Sequence, residues 1–178
     1  YVGFVGAFLF GYVRAADIDV GRELIGGWAW GILGGIVVGV PLVRNVVAQP
    51  RSETPKGVAL TFQVAWWGVV YGALDGIFLT VMPVLAVGQA LATESWSSTW
   101  YGQTIAGVVA VLASAYVTAA YHLGYPEFRN RALLLPLAGN ALMALAYVVT
   151  GNPLAAILSH AVMHVAAVLH GTEATVQL

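Results

Sequence analysis

Apolar residues along this chain fall into six long stretches separated by short polar ones: residues 1–13, 24–43, 58–91, 104–121, 132–149 and 153–170. A helix needs about 20 apolar residues to cross the roughly 30 Å hydrocarbon core of a bilayer, and these stretches reach or approach that length. They predict an all-α fold, a polytopic membrane helical bundle of about six transmembrane helices, forming a single transmembrane domain over residues 1–178. The third stretch is too long for one crossing. Pro83 is predicted to kink or end it, with the remainder lying at the interface or re-entering. The first stretch opens inside an apolar run with no initiator Met. With no basic n-region or small-residue cleavage site in view, it reads as the end of a longer transmembrane helix rather than of a signal segment.

The polar connections set an expected orientation. One carries Arg44, Arg51 and Lys56 against Glu53, and another carries Arg129 and Arg131 against Glu127, while residues 92–103 hold no Lys or Arg. Positive charge collects on the cytoplasmic side, so the first two connections read as cytoplasmic and the third as external. Arg14 and Arg22 lie in an external loop beside Asp17, Asp19 and Glu23. Trp96, Trp100 and Tyr101 fall where an external aromatic belt belongs. The tail from Gly171 is then cytoplasmic, and the chain is integral to a plasma or bacterial inner membrane.

Composition sharpens this reading. The chain is 60% hydrophobic and 8% charged, against about 25% charged in an average soluble domain, and its mean hydropathy is +0.83. A soluble domain has too much surface to cover with so few charges, and a disordered chain has far less apolar content. The lipid bilayer is therefore the first expected partner. A net charge of −1 leaves no basic patch for nucleic acid, and the absence of Cys removes disulfides, thiolate nucleophiles and Cys-ligated zinc.

Small residues recur every four positions at Gly27, Gly31, Gly35 and Gly39, and again at Gly68, Gly72 and Gly76. Such ridges let helix backbones approach closely in lipid. They serve either packing within one bundle or a homodimer or membrane-partner face.

Ionisable residues within lipid are costly, so each is a functional candidate. Asp75 is the one acid inside an apolar stretch. His160 and His164 lie one turn apart on one helix face. Two neutral imidazoles at that spacing can converge on a metal ion; alternatively, they face the bundle interior as interhelical hydrogen-bonding groups. The Glu that follows the first His in soluble zinc proteases is absent, because Ala161, Val162 and Met163 intervene. His122 and His170 sit near helix ends, His170 as a C-terminal cation. Ser159 adjoins His160 and points elsewhere, so the two do not form a nucleophile–base pair. Gly139-Asn140 and Gly151-Asn152-Pro153 read as packing and turn chemistry, and Tyr125-Pro126-Glu127-Phe128 as a helix stop. No nucleophile elbow, phosphate loop or dinucleotide fingerprint occurs.

The order of these residues resembles the CPBP family of intramembrane metal-dependent proteases, which includes the CAAX prenyl endopeptidases and bacteriocin-immunity relatives. The family pattern is Glu-Glu-x-x-x-Arg, then Phe-x-x-x-His, then His-x-x-x-Asn on successive membrane helices. Asp75-Gly76-Ile77-Phe78-Leu79-Thr80, Thr118-Ala119-Ala120-Tyr121-His122 and His160-Ala161-Val162-Met163-His164 are similar to these in turn. The resemblance covers about residues 58–170. It implies catalytic roles for Asp75, His122 and His160 around a water-activating site, a divalent metal such as zinc, and a possible ligand in His164 at the asparagine position. Together with the helix spacing, it makes His160 and His164 the expected metal pair. Gly76, Thr80 and Thr118 stand where the family has Glu, Arg and Phe.

The resulting expectation is a divergent intramembrane metalloprotease-like hydrolase, in which these side chains converge within a few ångströms. The alternatives are a non-catalytic membrane subunit or scaffold of the same descent and, third, a proton- or ion-handling transporter built on Asp75 and the histidines. Helix arithmetic pulls against convergence. At about 1.5 Å per residue, Asp75 lies about 26 Å from the start of its stretch, whereas His122 lies near the same membrane face, so straight helices would hold them apart.

Overall fold

A computed structural model describes residues 1–171, and within them every regular element is a helix. The predicted tail beyond Gly171 lies outside the described residues. In chain order the helices are α1 (Val2–Ala15), α2 (Val20–Ile25), α3 (Trp28–Val47), α4 (Val58–Leu91), α5 (Trp100–His122), α6 (Leu134–Thr150) and α7 (Leu154–His170). The α3, α4 and α5 helices, and α6 extended back to Arg131 by a 3-10 turn, are long and apolar enough to cross a membrane. Those four lengths and the all-helical fold are what a membrane protein requires. The α1 and α7 helices are apolar but shorter, at 14 and 17 residues.

Two boundaries differ from expectation. The second stretch is broken near its start. Gly27 adopts φ 69, a left-handed conformation that favours glycine, so Leu24 and Ile25 end the separate helix α2 and α3 begins at Trp28. Gly27 therefore drops out of its ridge, and a side chain there would meet open space. The third stretch does not end at Pro83 but runs as one 34-residue helix. It contains two π-helical stretches, Val64–Tyr71 and Ile77–Val81, the second of which ends just before Met82 and Pro83.

The reason lies at Pro83, which has no N–H to donate to the carbonyl four residues back. That carbonyl, of Leu79, instead accepts a hydrogen bond from Ser114 Oγ at 2.9 Å. A neighbouring helix thus satisfies the group the proline orphaned, which is how prolines persist inside membrane helices. Ser114 Oγ also accepts from Asn140 Nδ2 at 2.7 Å, and Asn140 Oδ1 accepts from Thr80 Oγ1 at 2.6 Å. All three side chains are buried. Ser114→Ala is expected to cost about 1–2 kcal/mol by leaving two buried partners unpaired, read as a lower unfolding midpoint in mild detergent.

Helix α7 is the centre of the bundle, clasped by the two glycine ridges. On the α3 side, Gly31 faces Asn152, Gly35 faces Leu158 and Gly39 faces Ser159 and Val162; on the α4 side, Gly68 faces Val165, Gly72 faces His164 and Gly76 faces His160. Both ridges are thus filled within the chain. The apolar core beside them is formed by Leu42, Val81, Val84, Met143, Ala144 and Tyr147.

Asn152 locks the entry to α7. Its Nδ2 donates to the carbonyls of Glu23, Leu24 and Gly26 at 3.1, 3.1 and 2.7 Å, and its Oδ1 accepts from the Leu154 N–H at 2.9 Å. One side chain thereby closes the end of α2 and serves an orphan donor in the first turn of α7.

Candidate functional site

Asp75 sits in the short α-helical piece Gly72–Gly76 between the two π-helical stretches. It is fully buried. The glycines on either side bring the α4 backbone close to α7, so the carboxylate meets the histidine face directly. His160 and His164 are both buried, and their rings stack 5.0 Å apart at 24°. One ligand-capable atom from each of Asp75, His160 and His164 lies within 4.8 Å of the other two.

The hydrogen bonds single out the same three residues. Among the described residues, four buried side-chain polar atoms have no partner: Asp75 Oδ2, His160 Nδ1, His164 Nε2 and Thr118 Oγ1. Orphaned buried polar atoms are uncommon and costly. Three of the four belong to the cluster. A carboxylate and two imidazoles are a donor set suited to a divalent transition metal.

A ring of tyrosines supports the carboxylate. Tyr1 OH donates to Asp75 Oδ1. The Tyr1 ring lies 5.0 Å from that of Tyr71 and 6.0 Å from that of Tyr121. The hydroxyls of Tyr71 and Tyr121 are 2.7 Å apart, and the Tyr71 ring is 5.6 Å from that of His164. Holding one oxygen of a carboxylate by a hydrogen bond leaves the other free and aimed, which is how a metal ligand is oriented by the groups behind it.

His122 lies to one side. It is not among the three residues within 4.8 Å, but it lines with His160 one cavity of about 450 Å³. Its Nδ1 is 2.8 Å from the Thr118 carbonyl. A carbonyl only accepts, so this nitrogen carries the hydrogen and Nε2 holds the lone pair of the neutral ring. The ring is held edge-on by Phe128 at 4.9 Å.

Asp75 and His122 are linked through the tyrosines, since Tyr1 bonds Asp75 and its ring lies 6.0 Å from that of Tyr121, the neighbour of His122. The Tyr71 and Tyr121 hydroxyls join α4 to the last turn of α5.

The other candidates are structural. His170 Nε2 is 2.7 Å from the Gln49 carbonyl, tying the end of α7 to the chain after α3. Ser159 Oγ donates to the Ala155 carbonyl at 2.7 Å and has no role as a nucleophile. Sequence reasoning missed the tyrosines and gave Asn140 only a packing role. The available signal was the spacing of Ser114, Thr118 and His122, four residues apart on one helix face, opposite a lone Asn within an apolar stretch.

Comparison with family models, with curated proteins and with solved structures finds no match to this chain.

Proposed function

We propose that Asp75, His160 and His164 hold a divalent metal ion within the membrane, and that the chain is a divergent intramembrane metalloprotease-like hydrolase similar to the CPBP family. The carrying observation is the convergence of these three buried side chains within 4.8 Å, each with one unpartnered atom. In this reading the chain crosses the bilayer about six times and its C-terminal tail is cytoplasmic.

Three protein ligands leave further coordination positions open, the arrangement of a catalytic rather than a structural site. Such an ion supplies a bound water that ionises near neutral pH. Tyr1 holds one oxygen of Asp75 and so orients the carboxylate. His122, its tautomer fixed by Thr118, offers Nε2 as a proton acceptor beside His160. The surrounding apolar helices exclude bulk water.

The departures from the family motif have physical counterparts here. A Cβ at Gly76 would stand 2.9 Å from His160 Cβ, so the family's second glutamate has no room. Thr80, at the arginine position, is neutral and spends its hydroxyl on Asn140.

The test is metal content of the protein purified in mild detergent, beside a His160→Ala/His164→Ala variant. The expected result is about one divalent ion per chain, lost in the variant, and hydrolysis of a membrane-embedded peptide that falls at least ~100-fold in Asp75→Asn. A metal-free parent with a folded variant would overturn the metal reading and leave a non-catalytic membrane scaffold.

A further inference from the structure

Of the four orphaned buried atoms, the metal reading absorbs three and leaves Thr118 Oγ1. Thr118 is 1% exposed. Hydroxyls within helices commonly return to a carbonyl three or four residues back, as Thr104, Thr150 and Ser159 do here toward Trp100, Ala146 and Ala155. Thr118 makes no such bond, and its own carbonyl is engaged by His122. Thr118 lines the 450 Å³ cavity, and its hydroxyl is a buried group without a partner.

That cavity is mostly apolar, with Leu79, Phe128, Met143 and Met163 among its walls. Its buried polar end is formed by Thr118, His122, Asn140 and His160. Its rim includes residues of two kinds: Leu135 and Leu142 are exposed apolar groups on α6, while Asn45 and Glu127 are exposed polar ones. A rim that is apolar on one side and polar on the other belongs at the boundary between acyl chains and headgroups. Thr118 sits one helical turn, roughly 6 Å, from the end of α5 at His122.

We propose that this cavity binds an acyl chain of a bilayer lipid, entering sideways past Leu135 and Leu142, with its uncharged ester carbonyl accepting a hydrogen bond from Thr118 Oγ. The acidic Glu127 at the rim and Asp75 behind His160 disfavour a carboxylate head, which excludes a free fatty acid. The site depends on Thr118 and the cavity walls, not on an ion among Asp75, His160 and His164.

The experiment reconstitutes the full chain in nanodiscs with phosphatidylcholine carrying a photoreactive diazirine on one acyl chain, and maps the crosslinks by mass spectrometry. Labelling is expected at Leu79, Met143 or Met163. It should fall about tenfold or more in Thr118→Val, and to the same low level for the parent chain given the ether-linked lipid, which lacks the carbonyl. Labelling confined to lipid-facing positions such as Leu112 and Leu145 would overturn the proposal. So would equal labelling of the parent by ester and ether lipids, a comparison that holds even where Thr118→Val misfolds. Metal content measured on the same samples separates the two readings, because Thr118 is not one of the three proposed ligands.

Discussion

Gly76→Ala is expected to weaken the metal binding proposed for Asp75, His160 and His164 without altering any of the three. The added Cβ would stand 2.9 Å from His160 Cβ and 3.4 Å from the Ala156 carbonyl. Neither atom is the end of a flexible side chain, so α4 and α7 must separate. Overpacking of this kind costs about 1–3 kcal/mol. The larger effect falls on the site, because the same separation draws Asp75 away from both histidines. Misplacing a metal ligand through its support lowers affinity by roughly 10–100-fold. Gly72→Ala should act in the same way through His164, whose Cβ would lie 2.8 Å from the new methyl. Gly88→Ala is the control, since nothing lies within 4 Å of a Cβ there. Metal titration and unfolding midpoints of the three variants check this. Full metal affinity in Gly76→Ala would show that the clasp of α4 on α7 does not set the site.

Asn152→Ala is expected to be the most destabilising polar-to-alanine change in the described structure. The side chain is fully buried and makes four hydrogen bonds to backbone groups, three as donor and one as acceptor. Its removal leaves the Leu154 N–H and the carbonyls of Glu23, Leu24 and Gly26 short of a partner, and opens a void against Gly31. Single hydrogen bonds in membrane proteins average only about 0.6 kcal/mol, but here one residue serves four groups, so a loss of about 2–3 kcal/mol is expected. Asn152→Asp separates the two functions, because it keeps the acceptor for Leu154 and loses the donor. If the three carbonyls carry the stability, Asn152→Asp will be at least as damaging as Asn152→Ala. A near-native midpoint for Asn152→Asp would place the whole contribution on the cap of α7.

The helical class and the identity of the cluster residues were legible because they are local. His160 and His164 share a face at i and i+4, and Asp75 stands out as one acid among apolar neighbours. Their convergence was expected only from the family resemblance, not from local spacing. It depends on how closely α4 packs against α7, where Gly72 meets His164 and Gly76 meets His160 from distant parts of the chain. It depends also on π-helical turns that no local pattern announces. Pro83 shows the limit most plainly. Its missing N–H was visible, and its consequence read as a kink or a stop. The helix continues because Ser114, 35 positions from Leu79, supplies the missing donor. The glycine ridges were visible as well, yet nothing in their spacing said that both would close on one helix.

That closure sets a timetable. The α3 and α4 helices precede α7 in the chain, so both grooves are made before the helix that fills them. From Asp75 to His160 is 85 residues, roughly 4–17 s of synthesis at about 5–20 residues per second. Through that interval the carboxylate waits in an open groove without its histidines. The site comes into being in one step, when α7 docks, and a nascent chain stalled before that point carries no assembled centre.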